Sequence, residues 1–154
     1  MIISGFPGIG KTYYANNFEN AVDLDSTPFS KLENGEKNPE FPNNYIEKIK
    51  ELKNKYEVIF VSSHNETRLA LANANLEYIV IYPDLTSIGN KEAFMKRYET
   101  REHHTNRDNF VKLMKDNFEK FAIDLMLDEN AKQHISIDLT KENLVDIIKK
   151  LRRV

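Results

Sequence analysis

Residues 5–12 read Gly5-Phe-Pro-Gly-Ile-Gly-Lys-Thr12. The spacing is G-x-x-x-x-G-K-[ST], that of a Walker A loop. Glycines let the backbone wrap an anion with its N–H groups turned inward. A helix opening directly afterwards adds the positive end of its dipole. Gly5, Pro7, Gly8, Ile9, Gly10, Lys11, Thr12 and Tyr13 are therefore the expected phosphate-binding positions. Lys11 is spaced to reach the β and γ phosphates of ATP, and the Thr12 hydroxyl to ligate Mg2+. A chance glycine-bearing turn would give the same string. The motif requires a buried strand before it and a helix after it, and residues 1–4 and 11–18 have that character.

Working outward, the chain reads as alternating strands and helices. Residues 21–24 form a weak second strand. Residues 26–44 are irregular, with Pro28, Gly35, Pro39 and Pro42. A loop of that length in a compact domain points to function. Tyr45, Ile46, Ile49, Leu52 and Tyr56 recur at helical spacing. Residues 58–61 and 78–82 are continuous apolar runs, the mark of strands buried on both faces. Residues 65–75 form a short helix between them. The charged segment 91–127 holds two helical stretches hinged near residues 103–107. Residues 135–139 form the last strand and residues 141–152 a closing helix. The order β-α-β-α-β-α-β-α-α-β-α gives an α/β fold, with five mostly parallel strands and helices on both faces of the sheet. Ligands bind such sheets at the carboxyl ends of the strands. That places residues 5–12, Asp25, residues 62–64 and the segment after Tyr82 along one rim.

The 154 residues make one domain's worth of chain. Cysteine is absent, which excludes disulfides, thiolate metal sites and a cysteine nucleophile. The net charge of −2 lacks the basic excess of a general nucleic-acid binder. No apolar run reaches a membrane span, and no basic leader precedes the first strand. A cytoplasmic protein without a membrane partner is expected. His103 and His104 are adjacent and project in different directions from a helix, with no third ligand nearby, so a metal site there is not expected.

A Ras-type GTPase would carry Asn-Lys-x-Asp, and here Asn90-Lys91 is followed at position 93 by Ala. Motors of the AAA type need an acidic pair after the third strand, where this chain has Ser62-Ser63-His64. Five segments remain: residues 5–12, Asp23-Leu-Asp-Ser26, Asn38-Pro-Glu-Phe-Pro-Asn-Asn-Tyr45, Phe60-Val-Ser-Ser-His64 and Arg97-Tyr-Glu-Thr-Arg101. In these the chain resembles the small P-loop kinases, the group of adenylate, shikimate, gluconate and polynucleotide kinases and the zeta toxins. Within that group it is similar to short adenylate kinase-like phage proteins. The resemblance implies a three-layer P-loop NTPase fold with a helical lid. It implies one kinase domain over 1–154, an acceptor-binding region at 26–50 and a lid at 88–125, with ATP and Mg2+ as cofactors.

In polynucleotide kinase and the zeta toxins an Asp at the end of the second strand serves as general base or helps organise Mg2+. Carried over, that role falls to Asp25, with Thr12 on the metal. Asp23, two residues earlier, points the same way along a strand and is the alternative. Asp25 can equally cap the turn before Pro28. Phe29, Phe41 and Tyr45, with Asn43 and Asn44, suit a nucleobase, and suit equally the anchoring of a loop to the core. His64 can orient an acceptor or simply bond a neighbouring backbone group. Arg97 and Arg101 are four apart and share one face of a helix. Two guanidiniums aimed at a crevice match the charge of a transferring phosphoryl group. The other reading is a solvated face, with Glu92, Glu99, Glu102 and Asp108 as partners. Residues 138–143 can hold adenine through backbone groups, or cap the closing helix with Thr140 and Asn143. The leading expectation is an ATP- and Mg2+-dependent kinase acting on a (deoxy)nucleoside monophosphate. The alternatives are a kinase directed at a hydroxyl of a polynucleotide end or modified base, and an ATP-binding regulator without turnover.

Overall fold

The computed structural model describes residues 1–101 and 107–153. The strands are β1 (Ile2–Gly5), β2 (Ala21–Asp23), β3 (Val58–Val61), β4 (Ile79–Pro83) and β5 (Gln133–Ile137). The helices are α1 (Lys11–Asn17), α2 (Thr27–Ser30), α3 (Asn43–Leu52), α4 (Asn65–Asn73), α5 (Asn90–Glu99), α6 (Arg107–Met126) and α7 (Leu144–Arg152). The strands form one sheet in the order β2-β3-β1-β4-β5, and every ladder is parallel. The expectation of a mostly parallel sheet thus resolves to a wholly parallel one within an α/β fold. No helix among the described residues is long and apolar enough to cross a membrane.

The three inner strands are buried at every residue. This is why β3 and β4 are rich in β-branched and aromatic residues with no polar alternation, while β1 carries one polar side chain, Ser4, whose hydroxyl donates to Ser62 O at 2.9 Å. β5, at the edge, alternates in exposure along most of its length. Register sets the site. Ser4 lies level with Val61 on one side and Val80 on the other, so the chain leaves β1, β3 and β4 along one rim. From β1 the chain proceeds toward β2 on one side of the sheet, and from β4 it proceeds to β5 on the other. A crevice therefore opens between the carboxyl ends of β1 and β4, the ligand position of open α/β sheets. Beneath it Phe6, Phe94 and Phe118 meet edge to face at 5.3–5.7 Å, fastening α5 and α6 to the end of β1.

Local details depart from the sequence reading. The irregular stretch contains the one-turn helix α2, where Pro28 occupies the first turn and its missing N–H costs nothing. The second strand ends at Asp23, so Asp25 lies beyond it. The closing helix starts at Leu144. Its cap is Asn143 alone, which exchanges hydrogen bonds with Asp146 in a capping box. Thr140 does not cap it; its hydroxyl donates to Asp138 at 2.6 Å. The expected hinge and the paired His103 and His104 fall largely or wholly outside the described residues, between the end of α5 and the start of α6.

Candidate functional site

The loop between β1 and α1 turns on two glycines in left-handed conformation, Gly8 at φ +92° and Gly10 at φ +110°. Gly8 is doubly constrained, since a Cβ there would meet the Tyr98 ring at 2.7 Å. The helical ladder of α1 begins only at Tyr14, whose N–H donates to Gly10 O at 3.0 Å. The N–H groups of Lys11, Thr12 and Tyr13 in the first turn therefore have no intrahelical acceptor. Lys11 folds back and donates from Nζ to Gly5 O at 2.8 Å. Burial pushes its pKa below the ordinary range; Asp23 and, more weakly, Asp25 oppose this, while Arg101 adds to it.

Helix α5 is clamped onto this loop. Arg97 donates to Gly8 O at 2.7 Å, and the Tyr98 hydroxyl donates to Pro7 O. Arg101 stacks its guanidinium over Tyr98 and Phe110, at 5.4 and 5.0 Å from the ring centroids. Both arginines face one cavity of about 800 Å³, lined also by residues 8–13, Thr100 and residues 143–145. Among the described residues neither arginine forms an ion pair, whereas Lys91 on the same helix pairs with Glu119 at 2.9 Å. The expected shared face of Arg97 and Arg101 thus lines the cleft, and neither guanidinium pairs with Glu92, Glu99 or Asp108.

The two carboxylates separate. The Thr12 hydroxyl donates to Asp23 Oδ2 at 2.8 Å. Asp25 is exposed, and its Oδ1 accepts the Thr27 N–H at 3.0 Å, which fixes the turn into α2. Asp23 is therefore the carboxylate beside Thr12, and Asp25 lies two residues past the end of β2. The electrostatic influence of both reaches Lys11.

On the opposite bank Tyr45 is wholly buried. It donates its hydroxyl proton to Leu24 O, and its oxygen accepts the Ser62 N–H at 3.1 Å. Phe29 and Phe41 lean on its ring at 5.3 and 6.0 Å. Asn44 donates to Phe29 O at 2.9 Å, while Asn43 is exposed. These aromatics anchor the segment to the core. His64 is exposed, and its N–H donates to Ser62 Oγ.

Three residues escaped the sequence reading. Tyr98 braces the glycine loop. Asn90 is buried and uses its whole amide, donating to Asp84 O and Ile137 O and accepting the Leu139 N–H. It locks the start of α5 to the ends of β4 and β5. Arg68, also buried, binds Ser63 O, Asp128 and Asp124, and so ties α4 and α6 to the rim after β3. Each has a partner at least 47 residues away, Pro7 for Tyr98, Ile137 for Asn90 and Asp128 for Arg68, for which a single position carries no local signal. No family model, curated protein or solved structure matches the chain.

Proposed function

We propose that the chain is an ATP- and Mg2+-dependent phosphotransferase of the P-loop kinase type, transferring the γ-phosphoryl of ATP to a (deoxy)nucleoside monophosphate. The observation that carries this is a single cleft gathering Lys11, Arg97, Arg101 and the free first-turn N–H groups of α1, with the Thr12–Asp23 pair at its edge. Three cations with no carboxylate in hydrogen-bond contact among the described residues suit a polyanion.

The roles follow from the positions. The loop N–H groups and Lys11 hold the β and γ phosphates once Lys11 exchanges its bond to Gly5 O for phosphate oxygen. Arg97 and Arg101 neutralise charge on the equatorial oxygens of the transferring group. An acceptor oxygen bonds to the γ-phosphorus as the bridge to the β-phosphate breaks, and ADP leaves. Thr12, which lines the cleft, and Asp23, bonded to it, offer hard oxygen donors, a set that fits Mg2+ held by one or two protein oxygens together with substrate phosphates. That ion supplies further neutralisation of the phosphate charge. A phosphate acceptor is already ionised at neutral pH and needs no general base.

One observation favours a second reading. Asp23 and Asp25 put two carboxylates on the acceptor side, and Asp25 keeps an exposed oxygen that can take the proton of a hydroxyl acceptor. The test is ADP formation from ATP·Mg2+ against a panel of nucleoside monophosphates, with Lys11→Ala as blank. Strong stimulation by one or a few monophosphates is expected. Stimulation only by DNA ends or nucleosides would replace the first reading with the second. ATP binding with no acceptor stimulation at all would point to a regulator.

A further inference from the structure

The two ends of the cleft are built from different materials. Cations and free N–H groups line the phosphate end. The other end is Tyr13, 65% exposed, with Leu144, Val145 and Asn143 at the start of α7. A nucleoside triphosphate anchored at Lys11 extends its base toward this end. The adjoining segment, residues 138–143, is the one expected to grip adenine by backbone groups, and its backbone N–H groups from 139 to 143 are already spent. The Leu139 N–H goes to Asn90 Oδ1 at 2.8 Å, and the Thr140 N–H to Asp138 Oδ1 at 3.0 Å. Those of Lys141 and Glu142 go to Asp138 O at 3.0 and 2.9 Å, and that of Asn143 to Asp146 Oδ2 at 3.0 Å. Asn143 Oδ1 is occupied as well, by the Asp146 N–H. What remains is a set of carbonyl acceptors, the Asn143 amide nitrogen, the exposed Lys141 ammonium and the Tyr13 hydroxyl. The last two swing on exposed side chains and hold no fixed donor–acceptor pattern against a base edge.

Bases are told apart by a donor and an acceptor held together at fixed spacing against one edge. A lone carbonyl finds an N–H on every base, and a lone amide nitrogen finds an acceptor on every base. Apolar walls discriminate only about 10- to 200-fold, against about 10⁴–10⁵ for a site built to hydrogen-bond its substrate. Resting on the phosphotransferase reading above, we propose that the donor site is blind to the base. It takes purine and pyrimidine nucleoside triphosphates alike, held by the triphosphate and by stacking on Tyr13 and Val145. The cavity of about 800 Å³ admits either ring system.

Calorimetric titration of the full chain with ATP, GTP, CTP and inorganic tripolyphosphate, each with Mg2+, tests this, with Lys11→Ala as the blank. The expected result is three nucleotide Kd values within about tenfold of one another. Tripolyphosphate should bind about tenfold or more weakly, because it lacks the stacking contact. Tyr13→Ala, checked for folding by circular dichroism, should weaken all three nucleotides in parallel and leave tripolyphosphate unchanged. A preference for ATP of about 100-fold or more, with tripolyphosphate still bound, would overturn base-blindness and leave the phosphotransferase reading standing. So would a Tyr13→Ala effect confined to ATP. Failure of all four ligands to distinguish the wild type from Lys11→Ala would overturn both.

Discussion

The buried Arg68 and the half-buried Lys11 have opposite surroundings. Arg68, 2% exposed, is satisfied on every side. Nε reaches Ser63 O at 3.0 Å, one terminal nitrogen reaches Asp128 at 2.6 Å and the other reaches Asp124. Tyr78 completes the cluster by donating to Asp128 at 2.9 Å. Lys11 has one carbonyl, and its carboxylate neighbours act only through space. A buried charge whose partners all belong to the protein is structural. A charge with one neutral partner and a cleft in front of it is, on the proposed reading, a seat left for an anion. The first holds the molecule together, and the second costs stability until a ligand arrives.

Arg68→Ala probes the contrast most strongly. It strands the buried Asp128 carboxylate and should cost about 3–5 kcal/mol in urea or thermal unfolding. The nucleotide Kd of the folded fraction should stay unchanged. An unaltered melting curve would break the comparison at its structural end. Lys11→Ala should do the reverse, lowering turnover by about 10²–10³. Lys11→Met should add about 0.5–2 kcal/mol of stability by removing an underpaired charge. A destabilised Lys11→Met would show that Lys11 is structural after all.

Gly8→Ala sharpens the contrast from the loop's side. It forces a side chain into φ +92° and into the Tyr98 ring, at about 1–3 kcal/mol. Combining it with Tyr98→Ala should recover part of that loss in a double-mutant cycle, because the two atoms compete for one space. Acid titration bears on the paired end. Burial pushes the Asp128 carboxyl up, but hydrogen bonds from Arg68, the Asn130 N–H and Tyr78 outweigh it and hold its pKa below the usual 3.8. A carboxyl depressed in the folded state contributes its stability above the unfolded-state value and loses it as pH falls through the folded value. Stability should therefore drop below about pH 4, and Asp128→Asn should flatten that acid limb. The smallest expected effect is Asn143→Ala, which removes the α7 cap for about 1 kcal/mol and should leave Arg68 and Lys11 chemistry alone.

The contrast also separates what is legible in sequence from what is not. The inner strands announce themselves because a parallel sheet covered on both faces demands unbroken apolar runs, as in Val58-Ile-Phe-Val61. The glycine loop is legible because its residues act on neighbours within eight positions. Arg68 was not, because its partner Asp128 lies 60 residues away and ordinary charged helix residues look the same. Asp25 and Asp23 show the finer limit. Alternation places both on one side, but only the length of β2 decides which one meets Thr12, and strand ends depend on pairing with a neighbour. Phe29, Phe41 and Tyr45 admitted two readings because a ring facing a ligand and a ring facing the core have the same composition.

The phenol of Tyr45 lies beyond the last ladder pair of β2 and β3, Asp23 with Phe60, and takes one contact from each strand's exit. It works as a coupling pin. The segment carrying Asp25 and the segment carrying His64 cannot swing apart at this point unless the pin releases one of them. A ligand that pulls on either one therefore moves the pair, and the bank facing the glycine loop travels as one jaw instead of two independent flaps.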